Sequence, residues 1–290
     1  MKITGKTRII GIIGWPVKHS LSPIMHNAAF EHLGLDFCYV PFAVKEDHVE
    51  KAVKGIPALN ISGFNVTIPH KESVIPFLSE TSEEVKMIGA VNTIKIMDNK
   101  LIGYNTDGPG FIASLKEAGI SIKNHSLLIL GAGGAAKAVV FQSAIEGARE
   151  IIIANRTIQK AISIKNQTEK YLPSVNLKTT GIGYDELKDI IGRVDIIVNA
   201  TSIGLKSGDP SPIPNELINK RLFVCDLIYN PPETSLIKYA KASGCKFMNG
   251  TGMLLHQGVI AFKIFTGSEA PIEVMRKSLE DALKNLNRGK

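Results

Sequence analysis

Leu127-Leu128-Ile129-Leu130-Gly131-Ala132-Gly133-Gly134-Ala135-Ala136 is a stretch in which an apolar run passes through a glycine-rich turn into a helical pattern. Glycines at such a turn let the backbone bend tightly and approach a phosphate closely, while the free N–H groups of the new helix point at the same place. A further β-branched run follows at residues 151–153, and the order strand, turn, helix and strand predicts a dinucleotide-binding unit. A tight turn without a ligand is the weaker interpretation. The residues expected to face the phosphates are Gly131, Ala132, Gly133, Gly134 and Ala135.

The residues after the second strand of this unit predict which dinucleotide binds. An NAD site usually carries an acidic residue about 20 residues past the turn, where it holds the ribose 2′-hydroxyl. This chain has Asn155, Arg156 and Thr157 at that place, with Lys160 close behind and no carboxylate among them. An arginine hydrogen-bonds a 2′-phosphate through its planar guanidinium, and the threonine and the lysine add a donor and a charge. The pattern favours NADP over the alternative, a solvated basic loop.

Length and composition set the class of protein. A chain of 290 residues is long enough for about two domains. Its net charge of +7 is dispersed, so we expect small anionic ligands rather than nucleic acid. No apolar stretch reaches the roughly 18 residues of a membrane span. Three isolated cysteines form no metal-binding spacing and no evident disulfide framework, which predicts a cytoplasmic protein without a metal site.

The element pattern predicts an α/β protein with two domains. Strands alternate with helices in the middle of the chain, which predicts a Rossmann-type, doubly wound NADP domain over residues 108–250. Residues 1–107 are interpreted as a smaller α/β domain that binds the substrate. Two long helical patterns follow, at Leu254–Thr266 and Ile272–Asn287, and we expect residues 251–290 to join the substrate domain.

Local signals predict individual elements in the first domain. Ser22-Pro23 is typical of a helix start, with Ser22 as the N-cap. Gly63–Ile68 is a predicted strand, and a loop and a helix are expected to follow it over Pro69–Ser79. Residues 90–96 and 101–104 are expected to pair as a hairpin around Asp98-Asn99.

Polar side chains gather near the ends of these elements. Ser20 and Ser22 flank a helix start, where hydroxyl groups and free N–H groups suit a carboxylate or a phosphate. Alternation places Asn65 and Thr67 on one face of a strand, and amide and hydroxyl groups there suit a polyhydroxylated ring. Lys71 follows that strand, at the edge where open α/β sheets bind ligands, although a solvated lysine is the ordinary alternative.

Two further polar segments add Asn92 and Asp107 to the candidates. Asp107 precedes Gly108, so a turn-forming aspartate is its alternative interpretation. Taken in order along the chain, the motifs resemble those of the shikimate dehydrogenase family over nearly the whole length. The similar segments are residues 14–23, 65–71, 90–93, 105–108, 131–135, 155–157, 199–202, 226–231 and 250–257.

The resemblance implies a reversible reduction of 3-dehydroshikimate to shikimate with NADPH, a step towards chorismate and the aromatic amino acids. It implies that Ser20 and Ser22 bind the substrate carboxylate, and that Lys71 and Asp107 form the catalytic pair. The residues that it places on the ring hydroxyls are Asn65, Thr67, Asn92, Tyr229 and Gln257. The residues that it adds to the cofactor site are Glu83, Thr201, Leu227, Gly250 and Met253.

Two other interpretations stay open at this stage. A quinate or dual quinate/shikimate dehydrogenase would share the fold, and its site would need room for an extra hydroxyl beside the substrate carboxylate. The two serines, Ser20 and Ser22, favour shikimate over quinate. The absence of an acidic residue after the second strand of the dinucleotide-binding unit favours NADP. A non-catalytic NADP-binding scaffold is disfavoured because both Lys71 and Asp107 are present. The expected partner is a small-molecule substrate, and the protein is expected to be a monomer or a homodimer.

Overall fold

The computed structural model describes residues 2–206 and 208–288, which divide into two compact units. The first unit comprises the chain up to Thr106 and from Leu255 onward, and the second unit comprises Asp107–Leu254. The strands are β1 (Arg8–Gly14), β2 (Phe37–Ala43), β3 (Ile61–Val66), β4 (Glu80–Thr81), β5 (Thr93–Met97), β6 (Lys100–Tyr104), β7 (Ser126–Leu130), β8 (Glu150–Ala154), β9 (Leu177–Thr180), β10 (Ile196–Asn199), β11 (Phe223–Asp226) and β12 (Lys246–Met248). The helices are α1 (Ser22–His32), α2 (Val49–Gly55), α3 (Glu83–Ile88), α4 (Asp107–Glu117), α5 (Gly134–Ile145), α6 (Ile158–Tyr171), α7 (Tyr184–Ile191), α8 (Ser235–Ala242), α9 (Thr251–Thr266) and α10 (Ile272–Arg288).

The sheet of the first unit is mixed, in the order β2-β1-β3-β5-β6-β4. β1 pairs in parallel with β2 and β3, whereas β5 runs antiparallel to β3 and β6. The turn between β5 and β6 consists of Asp98 and Asn99, whose φ angles are 50° and 61°. Both angles lie in the left-handed region that a two-residue hairpin turn requires, so the predicted hairpin is confirmed.

The sheet of the second unit is parallel throughout, in the order β12-β11-β10-β7-β8-β9. Alternate residues of β7 enter two hydrophobic cores: Leu127 and Ile129 pack on one face, and Leu128 and Leu130 on the other. A sheet covered on both faces needs strands that are apolar at every position, which is why β7 has no polar alternation. The strand order matches the predicted Rossmann-type fold, and its reversal between β7 and β10 marks the edge where such sheets bind ligands.

Some expectations for individual elements were wrong. Within residues 69–79, all of which the structure describes, turns and one short 3-10 segment replace the predicted helix, because Pro69 and Pro76 interrupt the helical hydrogen bonds. The predicted strand Gly63–Ile68 already ends at Val66. The N-cap of α1 is Leu21 rather than Ser22, since the Ser22 side chain is buried and bonds to Tyr39. Among the helices that the structure describes, none is both long and apolar enough to cross a bilayer.

Candidate functional site

The loop between β1 and α1 places Ser20 and Ser22 side by side. The backbone N–H of Ser22 donates to Ser20 Oγ over 3.3 Å. Ser22 is buried and its hydroxyl bonds to the phenol of Tyr39, whereas Ser20 is only half-buried. Within residues 2–206 and 208–288, Ser20 Oγ takes part in hydrogen bonding only as an acceptor, so its proton is left for a ligand.

Tyr39, on β2, connects this loop to β3. Its hydroxyl donates to Asn65 Oδ1 over 2.6 Å. Burial raises the pKa of Tyr39 far above its ordinary value, so the phenol keeps its proton and acts as a donor. The Asn65 amide then donates to the carbonyl of Asn92 over 3.0 Å and to the hydroxyl of Thr93 over 2.9 Å. The chain of hydrogen bonds thus runs from the β1–α1 loop into the strands of the sheet.

Asn92 extends this chain of contacts to Thr106 and to α9. Its Nδ2 donates to Thr106 Oγ1 over 2.8 Å, and the Thr106 backbone N–H donates to Asn92 Oδ1 over 2.8 Å. Gln257, on α9, lies 3.4 Å from Asn92 Nδ2 and 3.5 Å from Thr106 Oγ1 through its Oε1. We call the connected side chains the polar network; they are Ser22, Tyr39, Asn65, Thr93, Asn92, Thr106 and Gln257.

The polar network brings together four residues that were predicted to bind substrate: Ser22, Asn65, Asn92 and Gln257. Their connectors were not predicted. Thr93 and Thr106 stand next to predicted residues in the quoted motifs, so adjacency was the available signal. Tyr39 is a lone hydroxyl in the otherwise apolar strand β2, and it comes near Asn65 only because β2 and β3 both pair with β1.

Thr67 and Lys71 lie on the segment that follows β3. The Thr67 backbone N–H donates to the carbonyl of Ile13 over 2.9 Å, and a Cβ at Gly14 would lie 2.4 Å from Thr67 Cγ2. Gly14 is therefore required for this close approach. The carbonyl of Lys71 accepts from the Val91 N–H over 2.7 Å, and both predicted side chains are half-buried at the end of the sheet. The structure holds their backbone firmly at the edge expected for a ligand.

Three other predicted residues are not among the side chains of the polar network. Asp107 is buried as the first residue of α4, directly after Thr106 in the chain, and belongs to the second unit. Tyr229 is half-buried after β11, and burial raises the pKa of its phenol. Glu83 is exposed in the first turn of α3, in the first unit, where it forms an ion pair with Lys86.

The glycine-rich turn after β7 has the features of a phosphate cradle. Gly131 has a φ of 108°, and a Cβ there would lie 2.9 Å from the carbonyl oxygen of Ala200, so only glycine fits. Gly133 is exposed, and within the part of the chain that the structure describes no atom lies within 4 Å of where its Cβ would be. Packing inside the protein does not explain that glycine, whereas the close approach of a pyrophosphate does. Gly134 begins α5, with Ala132 and Ala135 half-buried beside it.

The residues after β8 carry unpaired positive charge. Arg156, Thr157 and Lys160 are exposed, and Asn155 Nδ2 donates to the carbonyl of Thr157 over 2.9 Å. Across residues 2–206 and 208–288, no carboxylate forms an ion pair with Arg156 or Lys160, while other exposed cations, such as Lys54, are paired. Two cations without a counter-charge beside the carboxyl end of β8 suit a phosphate monoester. Together with the cradle, these residues fit NADP.

Thr201 belongs to a second set of hydrogen bonds, at the ends of β10 and β11. Its N–H and its hydroxyl both donate to Asn199 Oδ1, over 3.1 and 2.7 Å. Asn199 Nδ2 donates to Asp226 Oδ1 over 2.9 Å, and the Thr234 hydroxyl donates to Asp226 Oδ2 over 2.6 Å. Burial raises the pKa of Asp226, and these hydrogen bonds oppose the rise. The buried carboxylate thereby ties β10 to β11 and to the start of α8.

The other proposed cofactor residues are packed against the same sheet. A Cβ at Gly250 would lie 2.0 Å from the carbonyl oxygen of Leu227, so close packing alone requires glycine there. Met253 is buried in a hydrophobic core of the second unit, and Leu227 packs against that core. Packing accounts for Gly250, so its identity is no independent sign of a ligand.

The thiols and other potential metal ligands are scattered. Cys225 and Cys245 are buried and Cys38 is half-buried, all three as free thiols. Burial raises the pKa of Cys225 and of Cys245. Within the described ranges, no group of three or more histidine, cysteine, aspartate or glutamate side chains is arranged to hold a metal ion.

Comparison with known proteins identifies the family. Residues 12–94 match the shikimate dehydrogenase substrate-binding domain, residues 113–223 match shikimate/quinate 5-dehydrogenase, and residues 250–280 match the shikimate 5′-dehydrogenase C-terminal domain. A relative named shikimate dehydrogenase (NADP(+)), from Alkaliphilus metalliredigens, is 45% identical over 95% of this chain and 97% of its own. The chain belongs to the shikimate dehydrogenase family.

Solved structures agree with this assignment. A shikimate dehydrogenase in complex with NADP+ superposes with a TM-score of 0.89 at 45% identity, over 97% of this chain and 98% of that one. A quinate dehydrogenase from Corynebacterium glutamicum in complex with NAD has a TM-score of 0.87 at 29% identity, over 95% of this chain and 99% of that one. The family fold therefore extends over nearly the whole chain and carries more than one substrate and cofactor specificity.

Proposed function

We propose that this chain catalyses the reversible, NADP-dependent reduction of 3-dehydroshikimate to shikimate, a step towards chorismate and the aromatic amino acids. Three findings support this proposal: membership of the family, the polar network of the first unit, and the glycine turn and cations of the second unit. The polar network offers hydroxyl and amide groups for a polyhydroxylated acid, and the second unit offers a glycine cradle followed by unpaired cations. The unpaired Arg156 and Lys160 are the observation that carries the choice of NADP.

The proposed substrate contacts follow from the donors and acceptors present. Ser20 has a hydroxyl proton to give, and a carboxylate is an acceptor, so Ser20 and Ser22 are proposed to hold the substrate carboxylate. Five side chains are proposed to meet the ring hydroxyls: Asn65, Thr67, Asn92, Tyr229 and Gln257. A substrate with several hydroxyl groups satisfies such a surface, whereas an apolar ligand would leave its polar groups without partners.

Oxidation of shikimate removes a hydride from C3 and a proton from the C3 hydroxyl. When bound, NADP supplies the acceptor for the hydride. Lys71 is proposed to take the hydroxyl proton and, in the reverse direction, to donate it to the forming alkoxide. Asp107 is proposed to orient Lys71 and the substrate hydroxyl, because a carboxylate has acceptor sites enough for a hydrogen bond from each.

The proposed NADP site divides its tasks among its residues. The cradle formed by Gly131, Ala132, Gly133, Gly134 and Ala135 is proposed to hold the pyrophosphate. Asn155, Arg156, Thr157 and Lys160 are proposed to hold the adenosine 2′-phosphate. Leu227, Gly250 and Met253 are proposed to lie against the nicotinamide half, and Thr201 beside the cofactor. Glu83 is kept as a proposed cofactor contact on family resemblance alone.

A quinate or dual quinate/shikimate dehydrogenase is the second candidate, favoured by the fold match to a quinate dehydrogenase. The two activities are separated by following the NADPH absorbance with shikimate and with quinate, each with NADP+ and with NAD+. We expect a much higher kcat/KM with shikimate and NADP+ than with the other three pairs. A higher kcat/KM with quinate would assign the chain to the second candidate, and no turnover with either acid would contradict both.

We also propose a cellular location, an oligomeric state and a partner for this protein. Free thiols suit a reducing compartment, and we propose a cytoplasmic location. A monomer or a homodimer is proposed, and sedimentation of the purified protein would decide between them. The proposed partner is the small-molecule substrate.

A further inference from the structure

The Asn65 amide uses both of its N–H groups within the protein. It donates to the Asn92 carbonyl over 3.0 Å and to the Thr93 hydroxyl over 2.9 Å. A primary amide has two N–H donors and one carbonyl oxygen with two lone pairs. Asn65 therefore has no N–H group left for a ligand, and only its Oδ1 can take part in binding one.

Tyr39 fixes the orientation of the Asn65 side-chain amide, because it hydrogen-bonds the oxygen end of that amide. Its hydroxyl donates to Asn65 Oδ1 over 2.6 Å and so occupies one of the two lone pairs. A phenol has a single proton, so the remaining hydrogen bond of Tyr39, to Ser22, is one that it accepts. Tyr39 thus sets the direction of the Ser22 hydroxyl and leaves one lone pair of Asn65 Oδ1 for a ligand.

The ring of Tyr39 is itself held in place by His26. The two rings are stacked, with centroids 4.6 Å apart and an interplanar angle of 5°. His26 is fully buried and near Phe30 and Phe262, and neither of its ring nitrogens has a partner within residues 2–206 and 208–288. Burial lowers the pKa of His26 to about 3, so the ring is neutral and stacks as an aromatic group. This stack holds Tyr39 in the orientation that aims its hydroxyl at Asn65.

We infer that Tyr39 is a positioning residue that determines specificity at Asn65: it keeps the amide as an acceptor, so the ring position that meets Asn65 must carry a hydroxyl donor. The inference rests on the proposed oxidation of shikimate. It adds which partner donates in one contact: the ring hydroxyl donates and Asn65 accepts. A hydrogen atom at that ring position loses one hydrogen bond. A fluorine atom there is disfavoured further, because it places an electronegative atom against the lone pair of Oδ1.

Analogues of shikimate test this polarity on the wild-type protein. In each analogue one ring hydroxyl is replaced by hydrogen or by fluorine, and the Kd is measured from the fluorescence of Trp15, the single tryptophan, which lies in the loop before Ser20. At one ring position we expect the fluoro analogue to bind about tenfold more weakly than shikimate, and also more weakly than the deoxy analogue. If every fluoro analogue binds better than its deoxy counterpart, the acceptor-only contact is overturned.

The variant Tyr39→Phe tests the residue itself, because it keeps the ring and the stack and removes the hydroxyl. Ser22 and Asn65 then lose their common partner and must be ordered by the ligand, so we expect the Kd for shikimate to rise about two- to tenfold. The KM for NADP+ should not change. In the Ser22→Ala/Asn65→Ala background, Tyr39→Phe should add nothing further.

The control variant is Tyr184→Phe, whose ring is exposed in the second unit, and it should bind shikimate as the wild type does. Tyr39→Phe could weaken shikimate binding equally in the wild type and in the Ser22→Ala/Asn65→Ala background. That result would show that Tyr39 acts through packing and would overturn the inference. If Tyr39→Phe does not fold, the analogue series on the wild type decides. A wild type that neither binds nor oxidises shikimate contradicts the proposed function, whereas one that does both while Tyr39→Phe binds equally well overturns the inference alone.

Discussion

Asn92 and Thr106 hold each other through two hydrogen bonds of 2.8 Å, one from the Asn92 amide to the Thr106 hydroxyl and one from the Thr106 N–H to Asn92 Oδ1. Both residues are buried. Asp107 is the next residue in the chain, so this reciprocal pair fixes the backbone position from which the proposed catalytic carboxylate starts. Loss of the Asn92–Thr106 hydrogen bonds should lower both the stability of the protein and its turnover of shikimate.

We expect Asn92→Ala to lower the free energy of unfolding by about 1–3 kcal/mol, because the Thr106 hydroxyl and N–H lose their buried partner. Denaturant unfolding measures this change, and kcat/KM for shikimate should fall with it. Asn285→Ala, at an exposed position of α10, is the control and should stay within about 0.5 kcal/mol of the wild type. An Asn92→Ala protein with wild-type stability would contradict the importance of this pair.

Lys71→Ala removes the group that is proposed to exchange the proton with the C3 hydroxyl. We expect kcat to fall about 10²–10⁴-fold, the usual effect of losing a general acid–base, while the KM for shikimate changes far less. Steady-state kinetics in both directions provide the measurement, and Lys51→Ala, at an exposed site on α2, is the matched control. A Lys71→Ala enzyme that retained most of its kcat but lost substrate affinity would make Lys71 a binding residue.

Arg156→Ala removes one of the two unpaired cations after β8. A hydrogen bond to a charged group contributes about 1.5–3 kcal/mol, so the Kd for NADP+ should rise roughly 10- to 150-fold while the Kd for NAD+ changes little. Isothermal titration with both nucleotides measures the two constants. Lys170→Ala, at the exposed far end of the same helix, should leave both unchanged. Equal losses for the two nucleotides in Arg156→Ala would remove Arg156 from the 2′-phosphate site.

Asp226 should make stability depend on pH. Burial raises its pKa in the folded state above the value of about 3.9 for an unfolded chain, so the folded state binds the proton more tightly. Its contribution to stability is therefore fully present below about pH 4 and is lost as the pH rises through the raised pKa.

In Asp226→Asn this dependence is absent. The stability of the wild type relative to Asp226→Asn should consequently decline as the pH rises from about 4 through the raised pKa, by roughly 1.4 kcal/mol for each unit of pKa elevation. Urea unfolding at several pH values measures the difference. Asp189→Asn, at an exposed position of α7, should show no such trend. A constant difference for Asp226→Asn would mean that its pKa is not raised.

Much of the fold could be predicted from local pattern. The apolar strand β7, the glycine turn and the two-residue hairpin at Asp98 and Asn99 each carry a strong signal in adjacent residues. β4 contains only two residues, and β9 is a short Leu-Lys-Thr-Thr segment, so neither offers enough periodicity to be predicted. The helix predicted within Pro69–Ser79, after a loop, does not form, because prolines interrupt helical hydrogen bonds.

Part of the candidate site could also be predicted from the sequence. The residue pattern indicated Ser22, Asn65 and Asn92, and resemblance to the family added Gln257; the structure places these four in one network. Tyr39 was missed because it is 26 residues from Asn65 in the chain, and the two meet only because β2 and β3 both pair with β1. The assignment of Ser22 as an N-cap failed for the same reason, since its partner Tyr39 is not a sequence neighbour.

The unequal burial of the three thiols gives the protein a natural site for selective labelling. A thiolate is the species that reacts with maleimides, and burial with a raised pKa suppresses it at Cys225 and Cys245. Cys38, half-buried on the edge strand β2, should therefore react first. A dye attached there would be joined to the residue adjacent to Tyr39, so a single spectroscopic probe could follow rearrangements of β2 without any engineered cysteine.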